Sequence, residues 1–162
     1  MHLNNQLKNL TAKLKKNKIK VAVAESCTGG LISYNLTKIP GASKFFIVGI
    51  VSYSNISKLH FLKVRQKTLK KYGAVSVETC KQMCKNLLKI SKSNIAISIT
   101  GIAGPNGGSI QKPIGLVYIG IASERKIEIK KFLYSKKLSR INIQQETLKS
   151  TIKLIKDHIT IL

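Results

Sequence analysis

The sequence KVAVAESCTGGLISYNL, residues 20–36, predicts a β-strand, a glycine-containing loop and an α-helix in immediate succession. Its first five residues, KVAVA, form a short apolar run typical of a buried strand, and apolar residues recur at helical spacing from Leu31 to Leu36. Gly29 and Gly30 separate the two segments. Because strand, loop and helix in this order build α/β proteins, this stretch predicts a sheet with helices packed against it.

Strand and helix patterns alternate along the rest of the chain. Four more strands are predicted over residues 45–53, 94–100, 115–122 and 126–134. Helices are predicted over residues 1–18, 58–62, 76–90 and 140–159. Only three residues separate the last two strands, which predicts an antiparallel hairpin. The strand over residues 45–53 is apolar nearly throughout, so we expect it to be covered on both faces.

These elements predict a three-layer α/β/α sandwich around a mixed, mostly parallel sheet with one antiparallel hairpin. The 162 residues contain no internal repeat, linker or low-complexity segment. Since this length suits one hydrophobic core, we expect a single domain over residues 1–162. No apolar run approaches the ~20 residues that span a membrane, and no secretion signal is recognisable, so we expect no membrane partner.

The chain is strongly basic, with 29 Lys and Arg against 6 Asp and Glu and a formal net charge of +23. Such a charge often indicates nucleic-acid binding. However, only three of the cations are arginine, the residue that best grips phosphate and reads base edges, and both halves of the chain are similarly basic. We therefore expect a small-molecule ligand. Nucleic-acid binding is the alternative, and affinity that falls steeply with salt would identify it.

Acidic residues are too few for several common kinds of catalysis. Asp157 is the only aspartate, and it adjoins His158, where neighbouring helical side chains do not face each other. This disfavours a Ser-His-Asp triad, although Glu25 or Glu78 could still orient a histidine. The three histidines show no metal-ligand spacing with the acids, so neither a metal nor another cofactor is expected.

Three cysteines, Cys27, Cys80 and Cys84, show no disulfide pattern, which favours a reducing, cytoplasmic location. Cys80 and Cys84 lie four residues apart on a predicted helix, where we expect both thiols to be buried by packing. Cys27 precedes a predicted helix, whose N-terminus lowers a thiol pKa. It is therefore an alternative nucleophile.

The first motif whose residues could take part in catalysis is Ser26 to Gly30, at the exit of the first strand. Ligands of open α/β sheets collect at the carboxyl ends of the strands, where loops lead into helix N-termini. There Ser26 could act as a nucleophile, with backbone N–H groups around Thr28 to Gly30 stabilising an oxyanion. The alternative is structural, because a serine or threonine here could simply cap the helix.

The second motif is Ser52 to Asn55 with Lys58 one helical turn later, at the exit of the second strand. With histidine triads and metals disfavoured, serine chemistry needs another base, and a partly desolvated lysine can lose its proton near neutral pH. Its position next to a strand end and Tyr53 favours Lys58 for this role. The alternative is a lysine on a solvated helix face.

The third motif is the glycine-rich loop from Gly101 to Gly108, at the exit of the third strand. Glycine lets the backbone approach a ligand closely, and successive N–H groups in such a turn form an anion site suited to phosphate. The loop matches neither the P-loop nor the dinucleotide fingerprint. A mobile surface loop is the alternative.

Together these motifs resemble one known family. The segments ESCTGG (25–30), VSYSN with Lys58 (51–58), YGAVS (72–76) and SITGIAGPNGG with KPIG (98–115) are similar in order and spacing to the CinA C-terminal domain family. The resemblance extends from about residue 5 to residue 160. Characterised members of that family are nicotinamide-nucleotide amidases, and larger members carry an additional N-terminal domain, so this chain resembles the stand-alone form.

The resemblance implies hydrolysis of the carboxamide of nicotinamide mononucleotide to nicotinate mononucleotide and ammonia, in pyridine-nucleotide salvage. The family's catalytic serine, tyrosine and lysine fall on Ser26, Tyr53 and Lys58. The expected substrate-binding residues lie in the three motifs and at the last helix: Thr28, Gly29, Gly30, Asn55, Thr100, Gly101, Ala103, Gly104 and Arg140. A homodimer or higher homo-oligomer is also expected from relatives.

One position departs from the family pattern. The family's last helix tends to open with two arginines, and here Arg140 fits the first while Gln144 stands near the second. A missing phosphate contact would weaken nucleotide binding. The alternative function is therefore a catalytically inactive nucleotide-binding or competence-related module of the same fold.

Overall fold

The computed structural model describes residues 3–160. The described helices are α1 Leu3–Lys16, α2 Leu31–Thr37, α3 Asn55–Leu62, α4 Gln66–Tyr72, α5 Val77–Ser91 and α6 Arg140–Ile159, with a short 3₁₀ helix over Ala42–Lys44. The described strands are β1 Val21–Glu25, β2 Phe46–Val51, β3 Ile95–Gly101, β4 Leu116–Ala122 and β5 Ile127–Leu133. The outermost residues of the predicted domain 1–162, and of the predicted helix 1–18, lie outside the described range.

The five strands form one mixed sheet in the order β2-β1-β3-β4-β5. β1 pairs in parallel with both β2 and β3, while β4 runs antiparallel to both β3 and β5. Four strands therefore point one way and β4 points the other. The predicted mixed sheet with a terminal β4–β5 hairpin is confirmed.

The two faces of β1 show why helices cover both sides of the sheet. Val21 and Val23 point into a core that includes residues of α1, α2 and α6. Ala22 and Ala24 point into a second core, formed with residues of α3, α4 and α5. Since side chains alternate along a strand, the fully apolar segment VAVA must be covered twice, and the three-layer arrangement follows.

The prediction for β2 was wrong in one respect. β2 is an edge strand, and its residues are exposed or half-buried rather than covered on both faces. The composition of β2 resembles that of a central strand. The pattern of a single strand gives no information about its position in the sheet. Helix α4 was also not predicted as a separate element; its seven residues contain three lysines and only two buried side chains, Thr68 and Leu69.

Cys80 and Cys84 are fully buried on α5, as predicted. The Cys80 thiol lies 3.2 Å from Ser98 Oγ, and the Cys84 thiol donates to the carbonyl of Ala96 at 3.1 Å. Burial raises the pKa of the Cys80 thiol to about 12. These thiols pack helix α5 onto β3.

Candidate active site

The end of β1 is held to helix α2 by Glu25, the residue before the predicted nucleophile. Glu25 is fully buried, and its carboxylate accepts hydrogen bonds from the N–H groups of Gly30, Ile32 and Ser33 and from the Ser33 hydroxyl, at 2.7–3.1 Å. A carboxylate at a helix N-terminus satisfies unpaired N–H groups and complements the helix dipole. Glu25 therefore fixes the turn over residues 26–30. None of its hydrogen-bond partners within residues 3–160 is a histidine.

Ser26 and Lys58 meet at the carboxyl edge of the sheet. The Lys58 amino group donates to Ser26 Oγ at 3.0 Å and to the carbonyl of Ser52 at 2.7 Å. Ser52 stays in place because its own N–H donates to the carbonyl of Glu25 at 2.8 Å, which extends the β1–β2 pairing. Two residues that lie 32 positions apart in sequence are thus brought into hydrogen-bond contact by neighbouring strand ends.

Lys58 is buried although it carries an ionisable group. It lies on α3, which begins at a capping box made by Ser54 and Ser57, and its side chain is only 1% exposed. Burial lowers the pKa of Lys58 from 10.5 to about 8, because an ammonium is costly to remove from water. No carboxylate is bonded to it among residues 3–160. Lys58 is therefore not a lysine of a solvated helix face.

Arg140 connects two sides of the site. It is the first residue of α6, and its guanidinium donates to the Tyr53 hydroxyl at 2.7 Å and to the carbonyl of Gly104 at 2.8 Å. Tyr53 itself is exposed at the edge of the site. Through Arg140 the last helix is joined to the loop after β2 and to the glycine-rich loop after β3.

A cleft of about 250 Å³ opens between these elements. Its lining comes from all three predicted motifs, from the segment before α5 and from the start of α6: Ser26, Cys27, Tyr53, Lys58, Ala74, Val75, Thr100, Gly101, Ile102, Ala103, Gly104, Asn106, Gly107 and Arg140. Most of the predicted site residues are therefore brought together. A larger groove of about 690 Å³ lies between α1 and α6 and contains none of them.

Four predicted residues do not line this cleft: Thr28, Gly29, Gly30 and Asn55. The N–H groups of Gly29 and Gly30 are already donated, to the carbonyl of Ser26 and the carboxylate of Glu25. The prediction that N–H groups around Thr28 to Gly30 hold an oxyanion is therefore wrong for Gly29 and Gly30, while for Thr28 it stays a prediction. Asn55 is exposed as the first residue of α3, and the buried Thr28 hydroxyl has no partner within the described chain.

Cys27 lines the cleft but is not an activated thiol. Burial raises the pKa of the Cys27 thiol to about 12, which outweighs the favourable charges of Arg140 and Lys58. The carbonyl of Cys27 accepts a hydrogen bond from the Gln144 side chain at 2.8 Å. Gln144, the departure from the family pattern, thus supports the turn that carries Ser26.

Sequence reasoning missed Glu25 as the support of the nucleophile turn, and it missed Ala74 and Val75 as cleft walls. The signal for Glu25 was an acidic residue at the end of an otherwise apolar strand. The signal for Ala74 and Val75 was the segment YGAVS (72–76) of the family resemblance, and the wall is held by a hydrogen bond from the Thr100 hydroxyl to the Ala74 carbonyl at 2.8 Å.

In the part of the chain that the structure describes, the buried histidine and the acidic groups are not among the residues that line this cleft. Buried His158 pairs with Ser123 at 2.9 Å, on the far end of α6 from Arg140. Within residues 3–160, no three His, Cys, Asp or Glu side chains lie close enough to hold a metal ion. None of the helices in that range is long and apolar enough to cross a membrane.

The fold and the cleft together define a class of protein: an α/β/α domain with a buried serine–lysine pair at the carboxyl edge of its sheet. The family model of the CinA C-terminal domain matches residues 4–159. The chain belongs to the CinA C-terminal domain family.

Several known proteins are similar to this chain. A relative from Thermoanaerobacter pseudethanolicus, whose name refers to competence-damage induction, is 51% identical over 128 residues, which are 79% of this chain and 31% of that protein. A CinA-like protein of Endomicrobium trichonymphae is 48% identical over 143 residues, 88% of this chain and 33% of that protein. The chain thus spans about a third of the length of these relatives.

A solved structure matches the chain almost end to end. The competence/damage inducible protein CihA of Agrobacterium tumefaciens has a TM-score of 0.92 and 34% identity, with 97% of this chain and 98% of that chain covered. A CinA superfamily protein of Klebsiella pneumoniae has a TM-score of 0.94 over both whole chains at 24% identity, which supports the fold.

Proposed function

We propose that this domain is an amidase that hydrolyses nicotinamide mononucleotide to nicotinate mononucleotide and ammonia, with Ser26 as nucleophile and Lys58 as base. The observation that carries the proposal is the buried contact of 3.0 Å between Lys58 Nζ and Ser26 Oγ. A lysine whose pKa lies near 8 is partly neutral at physiological pH. It can therefore accept the serine proton without a histidine.

The reaction divides into acylation and hydrolysis. Neutral Lys58 takes the hydroxyl proton of Ser26 while Ser26 Oγ attacks the carboxamide carbon. The Lys58 ammonium then returns a proton to the amide nitrogen, the C–N bond breaks and ammonia leaves. Water attacks the resulting ester with Lys58 again as base, which releases nicotinate mononucleotide and restores the Ser26 hydroxyl.

The N–H group of Cys27 is the best placed donor for the oxyanion of the tetrahedral intermediate. Cys27 directly follows the nucleophile and lines the cleft. Its N–H bonds to no other residue among residues 3–160, and only its own thiol interacts with it. One preorganised donor of this kind contributes about 3 kcal/mol to transition-state stabilisation. Cys27 thus takes the role that the sequence analysis assigned to the N–H groups around Thr28 to Gly30.

The opposite wall of the cleft suits the ribose phosphate. Arg140 supplies a fixed positive charge there. The N–H groups of Ala103, Gly104, Asn106 and Gly107 make no hydrogen bond within the described chain. Unpaired N–H groups beside a guanidinium favour a phosphate. The positive charge, which is spread evenly along the chain, would also attract a phosphorylated substrate over longer distances.

The direct test measures ammonia released from nicotinamide mononucleotide by purified protein without added metal. Turnover is expected in the wild type and loss of at least about 1,000-fold in Ser26→Ala and Lys58→Met. Lys85→Met, which alters an exposed lysine on α5, is the matched control and should keep full activity. A folded wild type without turnover would contradict the proposal. Thermal stabilisation by the nucleotide in that case would identify a binding module instead.

A further inference from the structure

A surface groove of about 690 Å³ lies between helices α1 and α6, and none of its described lining residues belongs to the serine–lysine cleft. The residues that line its two walls recur one helical turn apart. They include Gln6, Asn9 and Lys13 on α1 and Lys149, Lys153 and Lys156 on α6. Each wall thus extends over two turns, about 10 Å along its helix axis. The groove is therefore an elongated channel between two helix faces, a shape that a third helix can fill.

Both walls of this groove are positively charged. The four lysines above come from both helices, and Asp157 is the one acid among the described lining residues. Lys149 contacts the carboxylate of Glu146 at 2.7 Å, but its side chain stays 54% exposed. The other three lysines form no ion pair within residues 3–160. Because like charges one turn apart on a helix repel each other, the groove favours a partner that brings acidic groups.

The bottom of the groove offers little apolar surface. Leu10 and Ile152 line it, and each is only 2% exposed. The exposed Ala12 and the aliphatic stems of the four lysines supply the rest of the apolar lining, with the ammonium groups at the far ends of those stems. A purely apolar ligand such as a lipid tail would gain little from this surface. A ligand that places acids beside short apolar side chains matches both parts of it.

Two other partners fit the groove less well. A second copy of the chain has 6 acidic residues against 29 Lys and Arg, so it would bring mainly positive charge to a positive groove. A nucleic acid is bound best by arginine, and the lining residues in the described part of the chain include none. A duplex is also too wide for a channel between two helices that contact each other.

We propose that the groove between α1 and α6 binds an acidic amphipathic helix of a partner protein. The helix lies along both walls, with its carboxylates against the lysines and its apolar side chains over Leu10 and Ile152. Two helical turns on each wall make an interface at the small end of the usual range, so we expect a Kd of about 10–100 μM. This inference does not depend on the amidase reaction.

Fluorescence anisotropy of a labelled synthetic peptide tests the proposal on the purified chain. The peptide has about 18 residues of Leu, Glu and Ala, with leucines at i, i+3, i+4 and i+7 and glutamates on both flanks of that stripe. A scrambled peptide of the same composition has the same charge but no apolar stripe. At about 0.1 M salt we expect saturable binding of the first peptide and at least about tenfold weaker binding of the scrambled one.

Two triple variants separate the groove from the general basic charge of the chain. Replacement of the three groove lysines of α6 by glutamine should weaken peptide binding at least about tenfold. The matched control replaces three lysines of α5 by glutamine: Lys81, Lys85 and Lys89. These lysines are also exposed and one turn apart, the change in charge is the same, and they lie outside the groove. The control should bind the peptide within about twofold of the wild type.

A single substitution on the opposite wall tests whether α1 takes part. Lys13→Gln should weaken binding about threefold, while Lys8→Gln, an exposed lysine of the same helix outside the groove, should leave it unchanged. Thermal unfolding confirms that each variant is folded. A wild type that does not bind the peptide, equal binding of the scrambled peptide, or equal losses in the two triple variants would each overturn the proposal. Duplex DNA that displaces the peptide, with a steeper salt dependence, would identify a nucleic-acid surface instead and would also overturn it.

Discussion

Replacement of Lys58 by methionine should abolish activity and yet make the domain more stable at neutral pH. Burial lowers the pKa of Lys58 from 10.5 to about 8. At 1.36 kcal/mol per pH unit, holding this group as an ammonium at pH 7 costs the folded state about 3 kcal/mol. Methionine has a similar volume and no charge. Solvent in the cleft and the lost hydrogen bonds reduce the expected net gain to about 1–2 kcal/mol.

The pH dependence of this gain has a definite sign. Because the pKa of Lys58 is lower in the folded than in the unfolded state, unfolding takes up a proton between pH 8 and pH 10.5. Wild-type stability therefore rises with pH through this window relative to Lys58→Met. The advantage of the variant is fully present below pH 8 and is lost by pH 10.5.

Urea unfolding of both proteins between pH 7 and pH 10, followed by circular dichroism, measures the difference directly. Lys85→Met serves as control, because it replaces a lysine by methionine at an exposed position on α5 instead of a buried one. The reasoning fails if Lys58→Met is less stable than the wild type at pH 7, or if the difference between them does not change with pH.

Three further predictions follow from the ionisable groups. The amidase kcat/KM should rise tenfold per pH unit up to about pH 8 and then level off, as Lys58 loses its proton; a flat profile from pH 6 to 9 would contradict a lysine base. Native Cys27 should resist iodoacetamide at pH 8, since burial raises the pKa of its thiol to about 12; labelling as fast as a free thiol would refute this. Glu25→Ala should lower the free energy of unfolding by about 2–4 kcal/mol in urea titrations, because the buried N–H of Ile32 and the half-buried N–H groups of Gly30 and Ser33 lose their acceptor. A loss under about 0.5 kcal/mol would show that water replaces the carboxylate.

A fourth prediction concerns the opposite end of α6. Burial lowers the pKa of His158, so the folded state binds this proton less readily than the unfolded chain. The contribution of neutral His158 to the free energy of unfolding should be complete above pH 6.5 and should decline as the pH falls below that value. His158→Gln, which can keep the hydrogen bond to Ser123, should remove this part of the acid sensitivity in thermal unfolding scans. An unchanged acid sensitivity in the variant would exclude His158 as its source.

Local patterns predicted most elements of the fold correctly. The apolar run before Glu25 and the helical periodicity after Gly30 are properties of short segments, and both became the predicted elements β1 and α2. The hairpin of β4 and β5 is equally local. The position of β2 at the sheet edge was not predictable in this way, because strand order depends on contacts between segments far apart in sequence.

In the candidate site, too, some features follow from local sequence and others from contacts between distant segments. The sequence by itself determined which candidate residues stand at strand exits: a serine before two glycines, a lysine after a strand, and a glycine-rich loop. Only the tertiary structure decided that Lys58 is buried against Ser26, that Glu25 occupies the N–H group of Gly30, and that Cys27 lines the cleft. The physical reason is that burial and hydrogen-bond partners arise where distant segments pack together, and these two properties set the protonation and the availability of each group.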